Sequence, residues 1–183
     1  MNYETSVFIR QYPSVRRFAL HLTCYRTLKA ACQTYGIEKN PFWVMTIDAH
    51  ILRAAIEWCN VFGADDGSDI HWKKLSVSDR KKLEDTFRIG VLGATKLDRA
   101  GWREYWGELT DFRNKYAAHL DLDYKGKMPN FDIALQIGYF YDKWIREEVI
   151  VPDSMGSNPP LSSVVANFEA EISNQLKTLF VHK

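Results

Sequence analysis

The fold class follows from residues 99–121, RAGWREYWGELTDFRNKYAAHLD. Its apolar residues recur at the three- and four-residue spacing of one helix face: Trp102, Tyr105, Leu109, Phe112, Tyr116 and Leu120. Asp98 is placed to cap the start of this helix. At about 100° per residue, Arg113 and His119 fall on opposite borders of the apolar stripe, with Tyr116 between them. The stretch therefore predicts a helix with two cationic side chains at the edge of its buried face.

The same spacing predicts helices along the rest of the chain. We expect them at residues 14–35, 41–62, from Ser76 or Ser78 to about 96, and 131–149, with Asn40 and Asn130 as N-caps. The second should bury one stripe: Phe42, Met45, Ala49, Leu52, Ile56, Cys59 and Phe62. Long helices with short connections predict an all-α antiparallel bundle of five to six helices. We expect a single domain over residues 1–183, with a core at about 14–150 and a C-terminal helix at about 160–180 after a Pro/Ser/Asn/Gly linker.

Composition favours a packed protein with little overall charge. Hydrophobic residues make up 46% of the 183-residue chain, and the net charge is +1, which excludes nucleic-acid binding by overall charge alone. The charge is unevenly spread, however. Residues 73–127 carry thirteen lysines and arginines against nine acids. This local excess indicates either a track for a polyanion or a solvated helix surface.

The cellular compartment is predicted from the number of cysteines and from the lack of targeting and membrane-spanning segments. Cys24, Cys32 and Cys59 are too few and too odd in number for a disulfide framework, so we expect thiols in a reducing compartment. We find no signal peptide and no apolar run of the roughly 18 residues needed to cross a membrane. The protein is expected to be cytoplasmic, without membrane association.

The sequence lacks the usual motifs of metal and cofactor sites. The loop after the second helix contains Asp65, Asp66 and Asp69, but it lacks the glutamate that closes a calcium loop. His71 and Trp72 of that loop are expected to fold back onto the core. Nucleophile elbows, zinc-binding HExxH and phosphate-binding glycine motifs are also missing. We therefore expect neither a metal nor a cofactor.

The strongest chemical pattern is Arg113-Asn114 followed by His119. Arg16 and His21 have a similar spacing, but Arg17 stands there in place of the polar amide, so we interpret His21 as an ordinary helix histidine. His50 is interpreted as structural. By contrast, Ala117 and Ala118 leave space beside the imidazole of His119. A histidine exchanges protons near neutral pH, and an arginine offers a fork of donors to phosphate oxygens.

The Arg-polar-x4-His pattern of Arg113, Asn114 and His119 resembles the signature of the HEPN superfamily. The segments 56–63 and 70–75 look like its branch linked to bacterial abortive infection. The resemblance implies a HEPN-like helical domain that acts as a metal-independent endoribonuclease of a defence or toxin–antitoxin system. It also implies a homodimer in which both motifs share a cleft, and an antitoxin or defence-system partner protein.

Roles for single residues follow from this resemblance and from RNA chemistry. Arg113, Asn114 and His119 are the expected catalytic residues, and Lys115 and Tyr116 are expected to bind the RNA substrate. One feature departs from the family: some HEPN toxins carry a tyrosine two residues after the histidine, where this chain has Asp121. Regulation by modification of that tyrosine is therefore not expected.

Two alternatives to the enzyme remain open. The chain could be a non-catalytic HEPN-type module that binds a nucleotide, RNA or a partner protein. It could also be a helical scaffold in which His119 only stabilises a helix C-terminus, where a cation is favoured.

Overall fold

The computed structural model describes residues 5–65, 68–75, 79–118, 126–149 and 159–181, and these form helices and connections without any strand. Six α-helices make up the all-α bundle: α1 (Thr5–Thr34), α2 (Pro41–Phe62), α3 (Arg80–Thr95), α4 (Arg99–Asp111), α5 (Phe131–Trp144) and α6 (Leu161–Val181). A short 3₁₀-helix, Trp72–Leu75, precedes α3, and π-helical segments, Phe112–Ala118 and Ile145–Val149, extend α4 and α5. Within this described part, no helix is both long and apolar enough to cross a membrane.

Helix α1 begins nine residues before the predicted start and contains Pro13. Proline normally marks a helix boundary, because it lacks an N–H and its ring crowds the preceding turn. Here the turns before it are held by packing. Phe8 is buried against the rings of Tyr12 and Tyr141, and Gln11 donates from Nε2 to the carbonyl of His71 at 2.8 Å. Tertiary contacts therefore extend the helix through the proline.

Helix α2 has the predicted bounds, and Asn40 caps it by accepting from the N–H of Phe42 at 3.0 Å. Its predicted apolar stripe is wrong at the N-terminal end, since Phe42 is 65% exposed and Met45 is 73% exposed. The buried positions lie instead in its second half and include the fully buried Trp58. Helix α4 contacts that half of α2, through Leu109 at Cys59 and Trp106 at Phe62.

The centre of the core is Tyr141 of α5. It is fully buried, and its ring meets those of Phe62 and Phe87 edge-on, with centroids 5.2 and 6.2 Å away. Its hydroxyl bonds to Oε1 of Gln11. The buried face of α5 and its π-helical extension includes Phe131, Ala134, Gly138, Tyr141 and Ile145. Tyr141 thus connects α5 to α1, α2 and α3.

Helix α6 starts on a carboxylate supplied by α5. Asp142 is buried and accepts from the N–H of Leu161 at 2.9 Å, while Arg146 bonds to the same carboxylate at 3.0 Å. A carboxylate at a helix N-terminus satisfies a free N–H and is favoured by the helix dipole. The predicted linker lies mostly in residues 150–158, outside the described residues. The predicted last helix is confirmed, with each end one residue later than predicted.

The loop between α2 and α3 folds back onto the core as predicted. His71 is 1% exposed, and the ring of Trp72 stacks on Phe87 at 3.8 Å. The imidazole Nε2 bonds to the carbonyl of Gly63 at 3.1 Å, and Nδ1 accepts from the N–H of Lys73 at 3.3 Å. These contacts hold a neutral imidazole with its proton on Nε2.

We expect this histidine to make the fold sensitive to acid. Burial lowers the pKa of His71 to about 4; the carbonyl of Gly63 opposes this shift and Lys73 adds to it. The unfolded chain, with a histidine pKa near 6.5, binds the proton first, so stability is lost as the pH falls from about 6.5 towards 4. The loss amounts to roughly 3 kcal/mol. Urea unfolding at several pH values should show this slope, and the His71→Gln variant should show a shallower one; equal slopes would contradict the assignment.

Candidate functional site

The first two residues of the predicted motif, Arg113 and Asn114, lie in the π-helical extension of α4. Asp98 caps α4 as predicted, accepting from the N–H of Gly101 at 2.7 Å. The helix is α-helical to Asp111 and π-helical from Phe112 to Ala118. A π-helical turn contains an extra residue, and such turns are frequent at functional sites. It also rotates the residues that follow relative to an ideal α-helix.

Tyr116 shows the effect of this rotation. It is 45% exposed, whereas Phe112 is 3% exposed, so the buried stripe does not include Tyr116; Leu120 lies outside the described residues. The ring of Tyr116 packs on that of Phe112, with centroids 5.3 Å apart. The prediction that Tyr116 lies within the buried stripe is therefore wrong for the single chain, because the π-helical turn displaces it toward solvent.

Arg113 is half-buried and points back to α2. Its Nε is buried and has no hydrogen-bond partner among the described residues. The side chain lies beside Cys59, whose Sγ is 3.9 Å from the carbonyl of Leu109. Burial raises the pKa of Cys59 to about 11, although Arg113 lowers it. Cys59 is thus a protonated thiol near neutral pH and offers no thiolate as a nucleophile or ion-pair partner.

Asn114 and Lys115 form the exposed side of the segment. Lys115 bonds through Nζ to Asp111 at 3.1 Å, one turn earlier. Both of these side chains are about half exposed, so solvent screens the pair and little energy opposes its rearrangement. Asn114, Lys115 and Tyr116 therefore form an accessible polar and aromatic edge next to Arg113.

His119 lies in residues 119–125, outside the described residues, so its role stays a prediction. The structure thus brings together Arg113 and the exposed edge of Asn114, Lys115 and Tyr116. Trp106 fixes α4 to the end of α2 by donating from Nε1 to the carbonyl of Phe62 at 2.9 Å. This contact determines where the motif lies relative to the core.

A second polar site was missed by the sequence analysis. His21 of α1 and His50 of α2, interpreted above as an ordinary helix histidine and a structural one, lie with their Nδ1 atoms 2.9 Å apart. The signal was present in the sequence as Arg17 four residues before His21 and Arg53 three residues after His50. At these spacings each arginine shares a helix face with its histidine. The pairing of the two faces depends on the packing of α1 on α2, which sequence spacing does not specify.

The predicted absence of a calcium loop can be examined at Asp65. Its carboxylate bonds to Lys73 at 3.1 Å and lies 3.8 Å from Arg80. Among the described residues, no group of three or more His, Cys, Asp or Glu side chains is arranged to hold a metal ion. Asp66 is outside those residues.

Comparison with family models, curated proteins and solved structures found no match to this chain. The class that the structure defines is therefore an all-α helical bundle, and its function is argued from its own residues.

Proposed function

We propose that this chain is a metal-independent endoribonuclease of HEPN type in a bacterial defence or toxin–antitoxin system, acting in the cytoplasm. The observation that supports this most is the environment of Arg113. Its guanidinium carries five N–H donors, yet Nε has no partner among the described residues, and Cys59 beside it is a neutral thiol. With no carboxylate partner among the described residues, Arg113 retains its charge for a phosphate.

The proposed reaction needs only groups that the motif supplies. The 2′-OH of one nucleotide attacks the adjacent phosphorus and loses its proton to one histidine acting as base. The P–O5′ bond breaks, and a second histidine gives a proton to the leaving 5′ oxygen. The products are a 2′,3′-cyclic phosphate and a 5′-OH. Arg113 stabilises the charge that develops on the phosphoryl oxygens, Asn114 orients His119 or holds the substrate, and Lys115 and Tyr116 bind the flanking RNA.

Two histidines require two copies of the chain in this mechanism. We expect a homodimer because each chain has one motif and because Tyr116 and the exposed edge beside it provide an aromatic contact surface. Light scattering at tens of micromolar should give twice the mass of one chain. Tyr116→Asp should weaken the dimer by placing a charge at that contact, while leaving the helicity of the single chain unchanged because Tyr116 is exposed. A monomeric wild-type protein would contradict the shared cleft.

RNA binding should depend on the positive segment 73–127. Lys74, Lys81 and Lys82 are exposed, whereas Lys73 is paired with Asp65. The test variant therefore replaces only the first three lysines by glutamate, which reverses their charge. Each phosphate contact contributes roughly 0.7 to the slope of log affinity against log salt for single strands. The triple Lys→Glu variant should therefore bind RNA more weakly, with a slope smaller by about 2.

The matched control changes the charge equally elsewhere, with Lys39, Lys143 and Lys177 replaced by glutamate. These three are also exposed and lie outside the segment. If both triple variants lose the same affinity, the segment is only a solvated surface.

A non-catalytic binding module is the second candidate. It is favoured by the partial burial of Arg113, because a guanidinium that packs against Cys59 is less free to follow a phosphate through a reaction. The two candidates differ in one result: the module binds RNA or a nucleotide through Arg113 without producing cyclic phosphate ends.

A further inference from the structure

The contact between α1 and α2 contains a polar cluster that the proposed reaction does not use. We call it the α1–α2 cluster, and it consists of Arg17, His21, His50, Arg53 and Glu57. Nδ1 of His21 and Nδ1 of His50 are 2.9 Å apart, within hydrogen-bond distance, so one ring donates and the other accepts. Glu57 is fully buried and accepts from Nε of Arg17 at 2.7 Å and from Nη2 of Arg53 at 2.6 Å.

The charges of the cluster favour an anion. One buried carboxylate is shared by two guanidiniums, which leaves an excess of one positive charge when both histidines are neutral. The side chain of Arg17 is 49% exposed and that of Arg53 is 51% exposed. A guanidinium has five N–H donors, more than the contacts of either arginine to Glu57 require. Both arginines can therefore remain on Glu57 and still donate to a ligand in solvent.

A metal ion is the competing occupant of a histidine pair. Two nitrogens bound to one tetrahedral zinc at 2.0–2.1 Å lie about 3.4 Å apart, which the pair could reach with a small shift. However, no third His, Cys, Asp or Glu completes such a set among the described residues. Arg17 and Arg53 also lie close enough to His21 to lower its pKa, and the same charges would repel a cation. Electrostatics therefore favours an anion over a metal.

The protonation of the histidines supports this choice. Burial is the main cause that lowers the pKa of His21, and the charges of His50, Arg53 and Arg17 lower it further. The carboxylate of Glu57 raises this pKa and so opposes them. Burial also lowers the pKa of His50. Both rings are thus mostly neutral near pH 7 in the free protein. An anion placed beside them opposes these effects, so its binding should draw in a proton.

A cavity continues the same contact between the helices. It has a volume of about 260 Å³ and is lined by residues that include Tyr25, Lys29, Cys32, Val44, Ile47 and Met128. Tyr25 lies one turn after His21 and Ile47 one turn before His50, so the cavity starts about 5–6 Å along the helices from the histidine pair. Glu38 and Asp48 also line it. These carboxylates disfavour a phosphate inside the cavity and accept hydrogen bonds from an amino group there.

We propose that the α1–α2 cluster and its cavity bind a small phosphomonoester, whose phosphate lies at His21, His50, Arg17 and Arg53 and whose ring occupies the cavity. This site is separate from the motif of Arg113. Glu57 and Cys59 are two residues apart on α2, about 200° around the helix, so the cluster and Arg113 lie on opposite faces of α2. The inference therefore does not rest on the proposed ribonuclease activity.

The test is a titration of the full chain with adenosine monophosphate, inorganic phosphate and adenosine, followed by NMR of the histidine rings. The nucleotide should shift the signals of His21 and His50 and bind more tightly than inorganic phosphate, because it fills both parts of the site. Adenosine should leave the two rings unprotonated. Affinity for the nucleotide should fall by up to about 100-fold between pH 6 and pH 8, since a full proton taken up on binding changes the affinity about tenfold per pH unit.

The variants Arg53→Gln and His50→Gln should each weaken nucleotide binding about tenfold or more. Arg17 still holds Glu57 in the first variant, so the carboxylate keeps a partner and the fold should survive. Arg16→Gln is the matched control for Arg53→Gln, because it removes an equal charge at an exposed position of α1 next to Arg17, outside the cluster. Variants of Arg113, in the proposed RNA-cleaving site, should bind the nucleotide with wild-type affinity.

Four results would overturn the proposal. The first is no response of either histidine to phosphate or the nucleotide at millimolar concentration. The second is unchanged binding in both Arg53→Gln and His50→Gln. The third is a response to micromolar zinc with none to phosphate, which would make the pair a metal site. Binding of an RNA chain at this cluster without binding of the mononucleotide would also reject the small ligand.

Discussion

RNA cleavage is expected to slow by about 10²–10⁴-fold when His119 is replaced by alanine, because this removes the only proposed group that exchanges protons near neutral pH. Arg113→Lys should also be clearly impaired. Lysine keeps the positive charge but lacks the planar fork that donates to two phosphate oxygens at once. The cleavage rate of Asn114→Ala should lie between those of wild type and His119→Ala, since an orienting amide transfers no proton. The measurement is the single-turnover rate on a labelled RNA.

The matched control for Arg113→Lys is Arg16→Lys, the same exchange at an exposed position of α1. It should cleave at the wild-type rate. Every variant must retain wild-type helicity and oligomeric state for the rates to be compared. Equal rates for wild type and His119→Ala would reject the catalytic assignment and leave the binding module.

The largest expected effect on stability comes from Tyr141→Ala. Tyr141 is fully buried among Phe8, Phe62, Phe87 and Trp144, and truncation leaves a cavity that these large rings cannot fill. We expect a loss of about 3–5 kcal/mol in the free energy of unfolding, as for other large aromatic truncations. This is a large share of the roughly 5–15 kcal/mol typical of a domain.

The variant Tyr141→Phe distinguishes the contribution of the aromatic ring to stability from that of the hydroxyl. It keeps the aromatic packing and leaves Oε1 of Gln11 without its donor, so it should cost only about 1–3 kcal/mol. Urea unfolding measures both variants. If Tyr141→Ala costs less than Tyr141→Phe, then this ring is not the centre of the core.

Local signals in the sequence predicted most helix boundaries. Asn40 with Pro41, Asp98 and Asn130 each start a helix where expected, because capping depends on a few adjacent residues. The remaining helix boundaries depend on tertiary packing. The start of α1 runs through Pro13 because Phe8 and Gln11 find partners on distant elements, and no local pattern encodes those contacts.

The candidate site was predicted less completely. The spacing placed Arg113 at the border of the apolar stripe, but it also placed Tyr116 within that stripe, and Tyr116 is exposed. The α-helical repeat assumed there was wrong, since the segment is π-helical and the sequence spacing did not indicate this. The α1–α2 cluster was missed because it depends on how two helices pack. Arg17 and Glu57 are forty residues apart, and only the packing of α1 on α2 brings them within 2.7 Å.

The central claim is tested most directly by incubating the purified chain with mixed RNA in EDTA and analysing the ends of the products. The proposed mechanism predicts unchanged cleavage in EDTA, with 2′,3′-cyclic phosphate and 5′-OH ends, and loss of these products in His119→Ala. Loss of all cleavage in EDTA, or cleavage by His119→Ala at the wild-type rate, would contradict it.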